Sequence, residues 1–350
     1  MSQLLADCLN EIFEYLENDM ITLQSCLLVN RLWCEISVKI FWRDVRNYRD
    51  SNYHTLISCL PNESKEILHK NGINISTPTS KPPTFNYASF CKVLPVNQIP
   101  YKLEQILKNQ QNISLHNLYK NVFIVAQEIF KLYMDQIISL KELEFWKYLN
   151  VNFNLYPGAK DCLKNLSKLS CCSDIPSEFF YKLSKICHNL LSIDILVEQD
   201  ISKGLTDLIS AQKNLKNLTI RNYRDGPHGS LKDIIPSFTK PNNLSKLCLY
   251  GIQHTSFSFI AEFTNLQVLE ISFHYNEEFK DFEKLQFPQL QILKFKNFPL
   301  KYEILIKFLE HNGKNLRELY INEDYGYSNN TLNLAIAKFC PNLRKISTWF

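Results

Sequence analysis

A short apolar phrase, Leu-x-x-(Leu/Ile)-x-apolar, occurs nine times in this 350-residue chain, with Thr348 in the last slot of the ninth copy. Its first leucine recurs at intervals of 22 to 29 residues. A unit of about 25 residues cannot bury its own apolar side, so repeated units must stack and share one core. The nine copies begin at Leu140, Leu166, Leu190, Leu215, Leu244, Leu266, Leu290, Leu316 and Leu343.

The spacing inside the phrase predicts the local structure of each repeat. Its last two apolar positions are two residues apart, which is the side-chain period of a β-strand. The segments between phrases, such as residues 301–313, have the apolar spacing of helices. We therefore predict an α/β fold in which about nine strand–helix units form a solenoid with a parallel sheet over residues 136–350.

This pattern resembles the leucine-rich repeat fold, a curved stack whose parallel sheet lines the inner face. It departs from that family after the third apolar residue, where a buried Asn or Cys is usual. This chain has other residues in that slot, namely Tyr223, Ile252, His274 and Phe298. The departure indicates irregular repeats, in which stacking is expected but curvature is not determined.

The residues beside the two strand positions are predicted to point away from the core, onto the inner face of the sheet. There, charges of both signs are mixed with Tyr and Trp, which is typical of a protein-binding surface, whereas a nucleic-acid groove would be basic throughout. Solvation of outward-facing strand residues is the simpler explanation at any one position. We predict that an unknown target protein binds Arg221, Lys246, Tyr250, Lys294, Lys296 and Tyr320.

The start of the chain predicts three short helices. Four apolar residues from Leu9 to Leu16 have the spacing of one helix face. Asp19 is suited to cap a second helix over about residues 20–28, and Asn30 to cap a third. Three such helices in about 40 residues bury little apolar surface. The excess apolar residues face either another protein or the rest of the chain, and their spacing does not decide between the two.

The segment from Leu4 to Trp42 resembles an F-box, the module that binds substrate receptors to the Skp adaptor of a cullin–RING ubiquitin ligase. The match includes Leu-x-x-Ile-Phe-x-Tyr-Leu from Leu9 and Val-Asn-Arg-x-Trp from Val29. Leu5 stands where the family has a proline, so a fixed φ angle before the first helix is lost. The resemblance implies a three-helix F-box over residues 1–45. It assigns adaptor binding to Leu4, Leu5, Leu9, Ile12, Phe13, Leu16, Leu23, Cys26, Val29, Asn30 and Trp33.

Residues 46–135 are predicted to form a helical connector. Five of the fourteen prolines lie between Pro78 and Pro100, and proline blocks helix interiors, so we predict a loop near residues 77–100. A later seam of about 20 residues predicts one long helix. We expect that helix to cover the open end of the repeats, with a coiled-coil dimer as the alternative. The seam consists of Leu118, Val122, Val125, Ile129 and Leu132.

No motif predicts chemistry of the chain's own. The eight glycines form no phosphate-binding loop or nucleophile elbow, and the eight histidines form no His-Glu-x-x-His. The eleven cysteines include no Cys-x-x-Cys pair, so we expect buried free thiols rather than a zinc site. We therefore predict no catalytic residue, no metal and no cofactor.

Composition also limits the expected partners and location. A net charge of +4 is too small to favour nucleic acid as a partner. No apolar run approaches the roughly 18 residues needed to span a bilayer. Acidic residues near the N-terminus argue against a secretory signal. We expect no membrane partner and a location in the cytoplasm or the nucleus.

Together the two resemblances imply the substrate-recognition subunit of an SCF-type cullin–RING ubiquitin ligase, which is not itself an enzyme. The F-box would bind the Skp-type adaptor, and the repeats would bind the target. The alternative is a non-catalytic interaction scaffold whose F-box does not direct degradation.

Overall fold

A computed structural model describes residues 6–75, 83–110, 114–147, 149, 156–198, 201–222, 243–252, 257–273, 281–297, 302–322 and 330–348. The fold is mixed α/β, and the strands in these residues run parallel to their sheet neighbours. The chain divides into two compact units. The first comprises Met1–Phe145 with Leu149–Leu166, and the second comprises Trp146–Tyr148 with Ser167–Phe350.

The first unit is mainly helical and contains one parallel strand pair, β1 with β2. Its elements are α1 Ala6–Glu14, α2 Met20–Cys26, α3 Arg31–Phe41, α4 Asp50–Cys59, α5 Asn62–Lys70, β1 Val93–Pro95, α6 Gln98–Gln110, α7 Leu115–Gln136, β2 Glu142–Phe145 and α8 Ala159–Leu163.

The first three helices enclose a small apolar core. Both predicted caps are confirmed, because Asp19 and Asn30 each accept a hydrogen bond of 3.0 Å from the backbone N–H three residues later. Arg43, just after α3, makes two hydrogen bonds of 2.6 Å to the carboxylate of Glu14 at the end of α1, and so closes the bundle. The core residues are Leu9, Phe13, Leu23, Cys26, Ile36 and Ile40.

The proline-rich segment is more regular than predicted. Residues 83–100 contain a 3-10 helix at Tyr87–Phe90, strand β1 and the start of α6, so the prediction of a loop up to residue 100 is wrong there. Pro95 ends the short strand, and Pro100 lies in the first turn of α6, where its missing N–H breaks no helical hydrogen bond. Residues 76–82 lie outside the described part of the chain.

Helix α7 is the predicted long helix. All five of its seam residues are buried, from Leu118 to Leu132. It packs on α5 and α6 within the first unit. The seam is therefore covered by the chain itself and offers no face to a coiled-coil partner.

Each of the nine phrases forms a strand that begins two residues after its first leucine, so the predicted parallel strand repeat is confirmed. The strand of the first phrase is β2. The second unit holds β3 Lys168–Cys172, α9 Ser177–Ser184, β4 Ser192–Val197, α10 Lys203–Ser210, β5 Asn217–Asn222, β6 Lys246–Ile252, β7 Val268–Phe273, β8 Ile292–Lys296, α11 Tyr302–Asn312, β9 Glu318–Ile321, α12 Asn330–Phe339 and β10 Lys345–Thr348.

In two connections of the second unit the described residues form a 3-10 helix rather than an α-helix. The described residues between β6 and β7 form a 3-10 helix at Phe257–Glu262, and those between β7 and β8 form another at Phe282–Lys284. These repeats cover the sheet with aromatic rings instead. The ring of Phe282 stacks on that of Phe308 in α11 with centroids 4.5 Å apart, and it meets Phe295 of β8 edge to face.

A repeated backbone contact joins neighbouring repeats of the second unit. Two successive N–H groups at the start of a strand donate to one carbonyl of the preceding repeat, as Lys216 and Asn217 do to Leu191. The same pattern recurs from β4 to β10, with distances of 2.7–3.1 Å. It aligns the strand starts, and through them the rows of side chains across the sheet.

Two buried amides stabilise the turns before strands. Asn312, the last residue of α11, accepts a hydrogen bond from the Phe287 N–H (2.6 Å) and donates to the carbonyls of Leu285 (2.8 Å) and Phe308 (2.9 Å). Gln212, just after α10, accepts a hydrogen bond from the Leu190 N–H in the turn before β4 and donates to the carbonyls of Cys187 and Leu208. Buried amides therefore bond turn backbone from helix ends, away from the slot where the leucine-rich repeat pattern has its Asn.

Candidate functional site

Five large apolar side chains of the N-terminal bundle are exposed to solvent. Among the described residues of the bundle, they lie between residues 12 and 29: on α1, just after it, on α2 and in the turn before α3. We call them the exposed apolar set. They are Ile12 (49% exposed), Tyr15 (89%), Ile21 (73%), Leu28 (86%) and Val29 (55%).

This set corrects part of the predicted adaptor surface. Leu9, Phe13, Leu23 and Cys26 are at most 5% exposed and form the bundle core, so they are not part of the surface that the bundle exposes. They are buried because three short helices need their largest inward-facing residues to hold each other.

Of the other predicted adaptor residues, some hold the three-helix bundle together and others lie on its surface. Leu16 and Trp33 pack against the bundle core, and Trp33 meets Phe13 edge to face at 5.0 Å. Asn30 serves as the cap of α3. Ile12 and Val29 are exposed. Leu4 and Leu5 lie outside the described residues.

The second candidate site is the polar face of the sheet in the second unit. Strand residues alternate between this face and the apolar core, as the burial of β4 and β9 illustrates. The register places one side chain of each strand in a common row. The central row runs Asp194, Thr219, Cys248, Glu270, Lys294 and Tyr320.

Tyr250 is the centre of a charge-balanced cluster on this face. Arg221 lies 5.0 Å from the ring centroid, and Lys296 lies 5.2 Å from it. Arg221 makes hydrogen bonds of 2.9 Å with both carboxylate oxygens of Asp194. Glu270 accepts a hydrogen bond of 2.8 Å from the Tyr250 hydroxyl and pairs with Lys296 at 2.9 Å. Two cations therefore meet two carboxylates.

The burial and contacts of this cluster shift its pKa values. Burial raises the pKa of Glu270, but hydrogen bonds from Lys296 and Tyr250, with the charges of nearby lysines, outweigh that effect and hold the pKa below 4.5. The pKa of Tyr250 is raised, first by burial and then by its hydrogen bond to Glu270. At neutral pH the cluster thus holds an ionised Glu270 and a neutral Tyr250.

We expect Glu270→Gln to reduce the acid sensitivity of the second unit. Because folding lowers the pKa of Glu270 from 4.5, the ionised carboxylate stabilises the fold at pH values above 4.5. This contribution is lost as the pH falls through the lowered pKa. The variant should lose about 1–2 kcal/mol of unfolding free energy at neutral pH and match the wild type in acid. Denaturant unfolding across that pH range measures this, with the exposed Glu310→Gln as control. An equal loss at every pH would contradict the prediction.

Tyr320 is the centre of a second cluster, whose charges do not balance. Lys294 and Lys345 lie 4.9 Å and 5.3 Å from the ring centroid. The Tyr320 hydroxyl donates a hydrogen bond of 2.8 Å to Glu318. Among the described residues, neither lysine makes an ion pair with a carboxylate.

The six residues predicted to bind a target therefore fall into three groups. Arg221, Tyr250 and Lys296 belong to the balanced cluster, Lys294 and Tyr320 belong to the second, and Lys246 is exposed outside both. The sequence-based selection omitted Asp194, Glu270 and Lys345, which decide the charge of each cluster. Aligning the nine phrases on their first leucine would have indicated these neighbours, since that alignment matches the strand register.

One group of side chains has the residue types of a metal site. Ligand atoms of Cys172, Asp174 and Glu198 lie within 4.8 Å of one another, and the described residues contain no other such group of three. Burial is the main cause that raises the pKa of the Cys172 thiol to about 12. A metal would require the thiolate, so binding here would have to displace a strongly held proton.

Comparisons with models of known protein families and with curated protein sequences gave no match to this chain. In the described part of the chain, no helix combines the length and the apolar character needed to cross a bilayer.

Proposed function

We propose that this protein is the substrate-recognition subunit of an SCF-type cullin–RING ubiquitin ligase. In this proposal α1–α3 are an F-box that binds a Skp-type adaptor, and the irregular leucine-rich repeats bind a target protein. The exposed apolar set carries the proposal. Large apolar side chains grouped on a small unit are typical of a protein-binding surface, and each contributes about 1.5–3 kcal/mol when it is fully removed from water.

The revised adaptor surface is built from the exposed apolar set around Ile12, Leu28 and Val29, while the bundle core supports it. This arrangement agrees with the F-box resemblance in its helices and caps. It assigns Leu9, Phe13, Leu23 and Cys26 to the support of the surface rather than to contact with the adaptor.

The polar sheet face supports the other half of the proposal. It presents two tyrosines and charges of both signs on a parallel sheet, a combination typical of protein-binding surfaces. The mechanism we propose is proximity. The receptor holds the target near a ubiquitin carrier delivered by its partners, which raises the effective concentration of target lysines. The chain then needs no catalytic residue or cofactor of its own.

Reconstitution tests the proposal. The full-length chain, mixed with a purified Skp-type adaptor and a cullin–RING complex, is expected to elute with both in one stoichiometric assembly. Failure to bind the adaptor would refute the proposal. Binding of the adaptor without the cullin would instead favour an interaction scaffold whose F-box does not direct degradation.

A further inference from the structure

The two tyrosine clusters of the sheet face differ in one respect that points to a ligand. Each tyrosine has two cations beside its ring. At Tyr250 both cations are neutralised, by Asp194 and Glu270. At Tyr320 the Glu318 carboxylate accepts the tyrosine hydroxyl, and neither ammonium group makes an ion pair with a carboxylate of the described residues. Among the described residues, the first cluster is balanced, and the second has more cations than carboxylates.

We propose that Lys294, Tyr320 and Lys345 bind an acidic segment of the target, with its carboxylate or phosphate groups beside the two ammonium groups. The inference depends on the proposed function for the identity of the partner as a ligase target. Like charges beside one ring repel each other, and anionic groups of a ligand relieve that repulsion and make charge-assisted hydrogen bonds to the ammonium groups.

The strand register allows an anion to reach both lysines. Lys294 and Tyr320 are register partners on β8 and β9. Lys345 is the partner of Glu318, so it approaches the same ring from β10, on the other side of β9. The two ammonium groups thus flank Tyr320 from neighbouring strands. The ring between them offers an apolar surface to the aliphatic part of an acidic side chain.

Lys246 extends the basic surface across the sheet. It is exposed on β6, four strands from Lys345, and the register places both at strand starts. Strands are about 4.8 Å apart, so the two positions are separated by about 19 Å. An extended peptide covers that distance with about six residues. We therefore infer a ligand segment of about six residues with acidic groups near both ends.

Peptide binding by the full-length chain in complex with the adaptor tests this inference. The probes are three fluorescent ten-residue peptides, with Glu, phosphoserine or Gln at two positions six residues apart. Fluorescence anisotropy is expected to show binding of the Glu or the phosphoserine peptide, and the stronger of the two identifies the preferred anion. Equal binding of the Gln peptide would overturn the inference.

A charge-matched pair of variants separates the site from general electrostatics. Lys294→Gln/Lys345→Gln should weaken binding of the acidic peptide about tenfold or more. Lys213→Gln/Lys314→Gln removes the same charge from exposed positions elsewhere in the second unit and should have little effect. Equal weakening by both variants would overturn the inference, and thermal unfolding verifies that both are folded. If the wild type binds the adaptor but neither acidic peptide, this site alone is refuted, whereas failure of the wild type to bind the adaptor counts against the proposed function.

Discussion

Replacing Ile12 and Leu28 together by Asp is expected to weaken binding of the Skp-type adaptor about a hundredfold or more. Both side chains are exposed in the free chain, at 49% and 86%, so a carboxylate there remains hydrated and the bundle stays folded. In the complex the same carboxylates would be buried against an apolar partner without a counter-charge. That burial is strongly unfavourable, and about 2.7 kcal/mol is already a hundredfold in affinity.

The measurement is the dissociation constant of the full-length double variant for the purified adaptor. Ile138→Asp is the matched control, because Ile138 is also a large exposed residue (75%) of the first unit but lies outside the bundle. A second comparison uses Leu16→Asp. Leu16 packs on the bundle core, so this variant should lose thermal stability as well as binding. Adaptor binding that survives Ile12→Asp/Leu28→Asp in a folded protein would refute the F-box assignment.

Replacing Asn312 by Leu is expected to destabilise the second unit by about 2–5 kcal/mol. Leu has a similar size but cannot hydrogen-bond. The Phe287 N–H and the Leu285 carbonyl would lose their bonds to the Asn312 amide, which is 4% exposed. Each buried backbone group left without a partner costs about 1–3 kcal/mol.

Denaturant unfolding of the full-length chain measures this loss. Asn315→Leu is the matched control, because the exposed Asn315 side chain donates only one hydrogen bond, to the Pro288 carbonyl. We expect that control to cost less than about 1 kcal/mol. If the two variants were equally stable, the turn before β8 would not depend on the amide of α11.

Much of the repeat architecture is predictable because its causes are local. The two-residue spacing inside each phrase predicts a strand, and all nine strands begin two residues after the first leucine. Asp19 and Asn30 cap α2 and α3 for the same kind of reason, since the side chain reaches a backbone N–H only three residues away. These features need no information about distant parts of the chain.

The candidate surfaces needed the tertiary structure. Apolar periodicity placed Leu9, Ile12, Phe13 and Leu16 on one helix face, yet Leu9 and Phe13 lie in the core while Ile12 is half exposed. A pattern of apolar residues records that a surface must be covered, but not whether the same chain covers it. That choice depends on how α1 and α2 pack on α3.

The repeat, the strand positions, the two helix caps and the mixture of charges on the sheet face all follow from local sequence patterns. Which of those charges come into contact depends on how the repeats stack. Asp194 and Arg221 are 27 positions apart in the chain, and Lys294 and Tyr320 are 26 positions apart. The alignment of separate strands brings each pair into contact. The stacking of whole repeats sets that alignment. It therefore placed Tyr250 among balanced charges and Tyr320 beside two lysines that make no ion pair with the carboxylates of the described residues.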